Sequence, residues 1–338
     1  MKPLVSILIP AYNAQTWIAD TIKSAQDQTW PNKEIVIVDD GSRDETLAIA
    51  RQFISDSVTV VTQKNQGAAA ARNKAFELCR GDYIQWLDAD DLLSSDKVAR
   101  QMEVAQPLQD KGILLSCPWG HFMYRTSQAQ FCNHSLCCDL SPIEWLLRKW
   151  ENNLHMQTAT WLVSRELSVA AGPWDTRLLG DDDGEYFFRV IKASRGIKFV
   201  SESKVFYRIT ASNRLSHIGR SDKKMEAQFL GMKLQIGYLR AMEDNERARR
   251  TCVNYLQTWL HNFYPNRPDL VEQAKQLAVA LGGTLRTPKL PWKYAWIQKL
   301  FGWNAAKATQ LLYNQYKSSV LRAWDRALSQ RSTPPTGL

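Results

Sequence analysis

The sequence predicts an α/β fold, in which a mixed, mainly parallel sheet lies between layers of helices and a helical extension follows. Unbroken aliphatic and β-branched runs occur at 4–9, 34–39, 58–61 and 83–88, and such runs are typical of parallel strands buried on both faces. Segments with apolar residues at helical spacing separate these runs, which is the pattern of βαβ units. From about residue 222 only helical periodicity occurs, which predicts the extension.

The first hundred residues alternate between strand and helix signals. Pro10 is expected to end the first strand, because proline has no N–H for a sheet ladder. Apolar residues recur at helical spacing from Trp17 onwards, and a second helix over 42–54 begins with a Ser/Asp capping signal. Gly67 opens a third helix over 67–79. The chain therefore forms three strand–helix units before its fourth strand.

The pattern is looser between residue 92 and residue 210. The predicted elements there are a helix (95–106), a strand (113–117), an irregular segment (118–140), a helix (141–150) capped by Ser141, a strand (158–164), a helix (181–195) and one or two strands (198–209). The C-terminal helix candidates are 222–247, 248–263, 268–281, 291–302 and 304–330. We therefore predict a catalytic domain at 1–220 and a helical C-terminal region at 221–330.

Composition and charge narrow the function classes. The chain has 338 residues and a formal net charge of +9, which suggests an anionic partner such as a nucleotide or a membrane surface. Its six cysteines show no paired framework, which indicates a reducing, cytoplasmic setting. Cys132, Cys137 and Cys138 lie near His134 but lack a second ligand pair at zinc-finger spacing, so a zinc site is disfavoured. No stretch of about 18 apolar residues occurs, so the chain is not expected to cross a bilayer.

Polar residues follow each of the first four predicted strands. They are Tyr12 and Asn13, Asp39 and Asp40, Asn65 and Gln66, and the group from Asp88 to Asp91. The carboxyl ends of parallel strands meet at one edge of a sheet, and ligands bind in the crevice outside that edge. We therefore expect all four groups to face one crevice.

Three carboxylates crowd into the segment "LDADDLL", where Asp88, Asp90 and Asp91 follow a buried strand. Buried charges are costly unless something pairs with them. Alternate residues of a strand point to the same side, so Asp88 and Asp90 are expected to share one divalent cation, Mn²⁺ or Mg²⁺. Asp91 is expected to cap the helix that follows. A solvated acidic turn is the alternative for the pair.

A metal held by so few protein ligands favours an anionic substrate, and a nucleotide diphosphate fits that requirement. The chain has no G-x-G-x-x-G after its first strand and no P-loop motif. Instead Pro10 and Ala11 offer backbone hydrogen bonds, Tyr12 offers a flat face for a base, Asp40 offers an acceptor, and Arg72 is a fork donor on the third helix. Ordinary packing and surface charge are the alternatives for Tyr12 and Arg72.

The segments "VSILIPAYNAQTWIADTIKSAQDQTWPNKEIVIVDDGSRDET", "NQGAAAARNKA" and "GDYIQWLDADD" together resemble the family 2 glycosyltransferases, through about residue 93. The resemblance implies the nucleotide-diphospho-sugar transferase fold, a donor that is commonly UDP-linked, and a D-x-D metal site at Asp88 and Asp90, with Asp90 the direct ligand. The positions matching Tyr12, Asp40 and Arg72 contact the nucleoside in that family. The predicted nucleotide-binding set is Pro10, Ala11, Tyr12, Asp40, Gly67, Arg72 and Asp88.

The segment "DDDGEYFFR" resembles a second acidic motif of the same family, Glu-Asp followed by an acid and then an arginine. Asp182 and Asp183 stand in the Glu-Asp places, with aspartate where glutamate is commoner, and Glu185 stands in the third acidic place. The resemblance makes Asp183 the general base, with Asp182 and Glu185 as secondary candidates. A carboxylate at a helix N-terminus is also a common solvated cap, and Asp181 is expected to be only that.

The segment "YRITASNRLS" resembles the loop that closes over the diphosphate in this family. Thr210 stands where the family often has histidine, which leaves open the group that touches the diphosphate. Arg214 and His217 are secondary candidates for that contact.

The predicted activity is an inverting transfer of a sugar from a nucleotide-diphospho-sugar to an acceptor hydroxyl, on a glycan or a lipid-linked acceptor. The alternatives are a sugar-phosphate nucleotidyltransferase and a non-catalytic nucleotide-sugar-binding protein of the same fold. Residues 286–326 contain eight Lys or Arg, one acid and several aromatic residues. This segment predicts either peripheral contact with the inner face of a membrane or packing on the catalytic domain, and no nucleic acid is expected.

Overall fold

The structure is a computed structural model and describes residues 2–210 and 221–332. Its strands are β1 (Val5–Ala11), β2 (Lys33–Asp39), β3 (Val58–Thr62), β4 (Tyr83–Trp86), β5 (Leu92–Leu93), β6 (Ile113–Ser116), β7 (Trp119–Phe122), β8 (Gln130–Phe131), β9 (Val163–Ser164), β10 (Gly196–Phe199) and β11 (Val205–Arg208). Its helices are α1 (Ile18–Gln26), α2 (Thr46–Arg51), α3 (Ala68–Leu78), α4 (Lys97–Leu108), α5 (Pro142–Glu151), α6 (Arg165–Ala171), α7 (Asp182–Ala193), α8 (Asp222–Met242), α9 (Glu246–Trp259), α10 (Pro268–Ala280) and α11 (Ala295–Ser332).

A five-stranded sheet in the order β3-β2-β1-β4-β9 forms the centre of the fold. Neighbouring strands from β3 to β4 are parallel, and only β9 runs antiparallel. Ile7 of β1 pairs with Ile35 on one side and Gln85 on the other, and both isoleucines are buried. The predicted mixed, mainly parallel sheet is therefore confirmed.

The first strand continues through Pro10, so the prediction that Pro10 ends it is wrong. In β1 the pairing with β2 runs on through Pro10 and Ala11. The pairing with β4 ends at Leu8, which lies opposite Trp86. Beyond Leu8 the β4 side of the strand needs no ladder donor, so a residue without an N–H is tolerated there.

Two smaller sheets lie beside the central one, with the orders β5-β11-β7-β8 and β10-β6. The segment 118–140, predicted to be irregular, contributes β7 and β8 to the first of these. The strand predicted over 158–164 is mostly absent, because Thr158–Thr160 form a 3₁₀ turn, Leu162 makes a single bridge with Leu115, and the strand itself is Val163–Ser164. The predicted helix 141–150 is confirmed with its cap, since the Ser141 side chain accepts from the Glu144 N–H.

The C-terminal helices pack on the catalytic region through α5 and α7. Trp150 of α5 stacks on Tyr255 of α9 with ring centroids 4.1 Å apart. Arg247 of α9 pairs with Glu144 and Glu151 of α5. The predicted boundary near residue 220 falls outside the described residues, so the two-domain division stays a prediction.

The final helix α11 contains a break at Gly302, whose φ of 81° lies in the left-handed region that favours glycine. This break matches the two helices predicted over 291–302 and 304–330.

Across residues 2–210 and 221–332, no helix combines the length and the apolar character that crossing a bilayer requires.

Candidate active site

The carboxyl edge of the central sheet is organised by Asp40, which directly follows β2 and is buried. Its Oδ1 accepts from the Gln66 N–H at 2.9 Å, and its Oδ2 accepts from the Gly67 N–H at 2.8 Å. Gly67 has a φ of 93° and begins α3, where its N–H would otherwise lack a partner. Asp40 therefore fixes the start of α3, and its contact with a nucleoside stays a prediction.

Pro10 and Ala11 are the last two residues of β1, and Tyr12 follows them with about half of its surface exposed (47%). The next residue, Asn13, is tied across the edge, because its N–H donates to Ser42 Oγ at 3.0 Å. The structure thus leaves the Tyr12 ring accessible beside the ends of β1 and β2, as base stacking would need.

Arg72 of α3 joins the two predicted acidic motifs. Its Nη1 donates to Asp182 Oδ2 at 2.6 Å and its Nη2 donates to Asp88 Oδ1 at 2.9 Å. Its guanidinium lies 4.4 Å from the ring centre of Trp174, and the side chain is almost fully buried. Burial opposes the charge, but Asp182 and Asp88 together raise the pKa of Arg72. Arg72, which was predicted to contact the nucleoside, therefore forms a buried bridge between two carboxylates of the protein.

The acidic segment after β4 forms a turn rather than a strand end. The strand stops at Trp86, and the Asp91 N–H donates to the Asp88 carbonyl oxygen at 3.1 Å. The argument from strand alternation therefore does not apply to Asp88 and Asp90. Both side chains are nevertheless partly exposed at the same turn.

The prediction that Asp91 caps the next helix is wrong. Asp91 is fully buried, and its carboxylate accepts from Gln157 Nε2 at 2.5 Å and from the Arg208 N–H at 2.8 Å. The helix begins only at Lys97, with Asp96 in the cap position. Asp91 therefore joins the turn to the chain beyond α5 and to β11.

Arg208, at the end of β11, holds the acidic turn from the side opposite Arg72. Its Nε donates to the Asp90 carbonyl oxygen at 2.8 Å. Its guanidinium lies 4.3 Å from the ring centre of Trp17 and 4.6 Å from that of Phe122. The side chain is nearly inaccessible, so it fixes the backbone of the turn rather than reaching into the crevice.

The second acidic motif begins α7 and borders a recess of about 40 Å³, the room of about one water molecule. Lining residues include Trp145, His155, Trp161, Asp181, Asp183 and Phe187. Asp183 Oδ2 accepts from Thr158 Oγ1 at 3.4 Å, and the side chain remains partly accessible. Asp183 therefore lines the recess and stays partly accessible, and its role as general base stays a prediction.

Asp181 occupies the cap position of α7, but its side chain makes no capping hydrogen bond, so the solvated-cap prediction is wrong. Burial, followed by the charge of Asp183, raises the pKa of Asp181 to about 8. Burial also raises the pKa of Asp182, although the Arg72 guanidinium works in the opposite direction. The charged forms of Asp181 and Asp182 are therefore both disfavoured by burial.

Glu185 is committed to packing within the helical layer. It is buried and takes both Nε and Nη2 of Arg189 at 2.8 Å, and Tyr238 of α8 donates to it at 3.1 Å. These contacts join α7 to α8. Arg214 and His217 lie outside the described residues.

The cysteine segment shows no metal centre. Cys137 Sγ lies 3.8 Å from His134 Nδ1, and all six cysteines are free thiols. In the part of the chain that the structure describes, no group of three or more His, Cys, Asp or Glu side chains is placed to hold an ion.

The donor set at the acidic turn nevertheless fits a hard divalent cation. Asp88 gives one carboxylate oxygen to Arg72, and among the described residues its second oxygen has no partner. Asp90 lies two residues away on the same turn. Two carboxylates leave most of an oxygen shell to be filled by substrate phosphate and water, which is how Mg²⁺ is usually held.

Sequence reasoning missed Arg208, His155 and Thr158. Arg208 could have been singled out, because it lies in the segment "YRIT". No local pattern, however, shows that its side chain donates to the Asp90 carbonyl oxygen. His155 is solvent-exposed, yet desolvation by the groups packed around its ring lowers its pKa, and Trp119 lies edge-on to it at 5.5 Å. Neither His155 nor Thr158 carries a sequence signal that would have identified it.

A mainly parallel sheet between helices, with acidic residues beyond the carboxyl ends of its strands, is typical of α/β proteins that bind a ligand at that edge. Residues 6–127 match the model of Glycosyl transferase family 2. This match shows that residues 6–127 form a domain of the family 2 glycosyltransferases.

Several curated relatives carry the same domain. An uncharacterized glycosyltransferase of Rickettsia prowazekii is 30% identical over 218 residues, which are 62% of this chain and 65% of that protein. A Bacillus subtilis protein, TuaG, named for teichuronic acid biosynthesis, is 47% identical over 105 residues, or 30% of this chain and 42% of that protein. The chondroitin synthase of Escherichia coli is 47% identical over 98 residues, or 28% and 14%. The chain thus spans less than two thirds of each relative.

Among solved structures, the crystal structure of Staphylococcus aureus TarS 1-349 superposes with a TM-score of 0.64 at 16% identity. The superposition covers 83% of this chain and 81% of that one. At this identity the likeness shows the fold alone.

Proposed function

We propose that this chain transfers a sugar from a nucleotide-diphospho-sugar to an acceptor hydroxyl, with inversion at the anomeric carbon. The observation that carries the proposal is the bridge through Arg72. It brings the acidic turn (Asp88) within one side chain of the acidic start of α7 (Asp182), at the edge of the sheet where α/β proteins bind ligands. A donor diphosphate at the turn would then lie beside a base at Asp183.

The proposed donor is UDP-linked. The fold neighbour TarS has been crystallised in complex with UDP and with UDP-GlcNAc. The exposed ring of Tyr12 is available for a base, and the backbone of Pro10 and Ala11 lies beside it. Asp40 and Gly67 would shape this part of the site through the loop that they hold.

The base proposed for the acceptor is Asp183. Its carboxylate accepts the acceptor proton while the acceptor oxygen attacks the anomeric carbon from the face opposite the diphosphate. One direct displacement inverts the configuration. The leaving group is a diphosphate, so no acid is needed to protonate it, unlike the alcohol that leaves in glycoside hydrolysis.

A divalent cation, Mn²⁺ or Mg²⁺, would be held by Asp90 and Asp88. When bound, it neutralises charge on the diphosphate. Arg72 keeps Asp88 oriented, and Arg208 holds the backbone of Asp90 in place. These residues keep the turn in position, so the ordering cost of binding is reduced.

The proposed product is a glycan of the cell surface, built on a glycan or lipid-linked acceptor. The relatives named for teichuronic acid biosynthesis and for chondroitin synthesis support this class. The six free cysteines support a reducing, cytoplasmic location for the reaction.

Donor screening by thermal shift, followed by turnover of the best UDP-sugar with Mn²⁺, tests the proposal. We expect turnover by the wild type, loss of turnover in Asp90→Ala, and no change in Asp56→Ala, an exposed control aspartate. If the wild type neither binds nor turns over any nucleotide-sugar, the enzyme proposal fails.

The same assay distinguishes the two alternatives. A sugar-phosphate nucleotidyltransferase would release pyrophosphate from a nucleoside triphosphate and a sugar phosphate. A non-catalytic binding protein would show a thermal shift with a nucleotide-sugar but no turnover in either variant.

A further inference from the structure

The C-terminal segment exposes far more apolar surface than the rest of the chain. Its exposed large apolar residues include Trp292, Trp296, Leu300, Phe301, Leu312, Tyr313, Tyr316, Val320 and Trp324, which we call the C-terminal apolar surface. Trp292 is 87% exposed and Tyr316 71% exposed. Contiguous exposed apolar surface of this kind marks an interaction site, whereas single exposed residues do not.

The residues after Gly302 form a stripe along one side of α11. Tyr313, Tyr316, Val320 and Trp324 are spaced by three, four and four residues, which places them on one helix face. On the opposite side, Asp325 Oδ1 accepts from Arg125 Nε at 2.7 Å, and Asp325 Oδ2 accepts from the Tyr124 N–H at 2.9 Å. The helix is therefore anchored to the catalytic region by one face and presents its aromatic stripe away from it.

The part of the segment before Gly302 contacts the part after it. Lys293 Nζ lies 5.1 Å from the ring centres of both Tyr294 and Tyr313. This contact joins the part of the segment before Gly302, which carries Trp296, to the part after Gly302, which carries Tyr316. We therefore treat the aromatic residues of both parts as one surface.

The charge of the segment is strongly positive. Residues 286–326 carry eight Lys or Arg and a single acid, Asp325. That acid is neutralised by Arg125 and is mostly buried. Lys299 and Lys317 are exposed beside the apolar residues. The surface therefore has aromatic residues with a basic rim and lacks a free acid within that segment.

Charge decides between the possible occupants. A second copy of this surface would bring basic rim against basic rim, which like-charge repulsion disfavours. An anionic lipid surface complements the rim, because each basic residue near such a surface is attracted to it. Aromatic residues prefer the boundary between headgroups and acyl chains.

We propose that the C-terminal apolar surface binds peripherally to an anionic membrane surface, with its aromatic residues inserted at the headgroup boundary. The Asp325–Arg125 contact then sets the orientation of the catalytic region above the lipid. This inference goes beyond the transfer reaction, because membrane binding needs no donor, metal or acceptor.

Co-sedimentation of the full chain with vesicles tests the proposal. We expect binding to vesicles of phosphatidylcholine with phosphatidylglycerol, weakened at high salt, and little binding to phosphatidylcholine alone. Equal binding to both vesicles, or binding to neither, overturns the proposal. Light scattering without lipid provides a second check, since a dimer abolished by Trp296→Ser/Phe301→Ser would assign the surface to a second copy instead.

Matched variants separate this surface from general effects. Trp296→Ser/Phe301→Ser and Lys299→Glu/Lys317→Glu are each expected to reduce binding at least tenfold. Ile54→Ser/Val169→Ser and Lys23→Glu/Arg51→Glu alter residues of the same kinds that are exposed elsewhere, and are expected to bind as the wild type does. Equal losses in both sets contradict the proposal. Turnover of a water-soluble acceptor is measured in parallel, so failure of membrane binding and failure of glycosyl transfer can be told apart.

Discussion

Two acidic segments meet at Arg72, and they carry their charges in different ways. Two arginines hold the turn at 88–91. Arg72 pairs with Asp88. Arg208 donates from its side chain to the Asp90 carbonyl oxygen and from its N–H to the Asp91 carboxylate. At the start of α7, Arg72 is the one cation among the described residues that pairs with Asp182, while Asp181 lies beside aromatic residues. Burial there raises the pKa of Asp181 to about 8, so it is largely protonated at neutral pH.

This difference suggests a division of work. A turn whose carboxylates are fixed and partly exposed suits a hard cation, which needs ionised oxygen ligands. A carboxylate beside a protonated neighbour, in a recess with limited water, suits proton transfer. The same residue type in similar local spacing therefore supports two proposed roles, and the surroundings separate them.

The largest expected effect is on the proposed base. Asp183→Asn should lower sugar transfer by about 10²–10⁴-fold, the usual contribution of general base catalysis. Binding of UDP should stay unchanged, because Asp183 is on the acceptor side. The matched control is Asp181→Asn, where an amide replaces a carboxyl that is mostly protonated, and transfer at pH 7 should change little. Full transfer by Asp183→Asn would show that the base is elsewhere.

Removing the bridge should affect stability most. Arg72→Met leaves Asp182 and Asp88 without their buried cation, and losing one partner of a buried pair costs about 3–5 kcal/mol of the free energy of unfolding. The double variant Arg72→Met/Asp182→Asn should regain part of this loss. Urea unfolding measures both. If the double variant is no more stable than the single one, Asp182 is not the main charge that Arg72 compensates.

Loosening the turn from its other side should have a smaller effect. Arg208→Met removes the donor to the Asp90 carbonyl and should cost about 1–3 kcal/mol of the free energy of unfolding. It should also weaken metal-dependent UDP binding, which a purely structural role would leave unchanged. Arg177→Met is the control, because Arg177 pairs with Asp175 in an exposed bridge whose loss should cost less than about 1 kcal/mol.

Asp181 should make the stability of the protein depend on pH. The carboxyl of Asp181 loses its proton near pH 4 in the unfolded chain and near pH 8 in the folded one. Between these values the folded state binds more protons, so this residue makes the free energy of unfolding fall as pH rises and level off above pH 8. Asp181→Asn should remove that component. Parallel pH profiles for both proteins would contradict the raised pKa.

The sequence predicted what depends on local pattern. Unbroken apolar runs predicted the positions and the parallel character of β1 to β4, and "DDDGEYFFR" predicted the start of α7. It failed where distant partners decide. The position of Asp91 shortly before a predicted helix suggested a cap. Its carboxylate instead accepts a hydrogen bond from Gln157, 66 residues away. Nothing near Arg72 in the sequence shows that it donates to Asp182, 110 residues away, and its contact with a nucleoside stays a prediction.

The central claim is that the acidic turn is a metal and diphosphate site. Calorimetric titration of UDP with and without Mn²⁺ tests it most directly, using the wild type and Asp90→Asn. We predict that UDP binds the wild type at least tenfold more tightly with Mn²⁺, and that Asp90→Asn loses this gain while unfolding at an unchanged temperature. UDP binding that is equally tight without metal, or a metal-dependent gain that survives in Asp90→Asn, would contradict the claim.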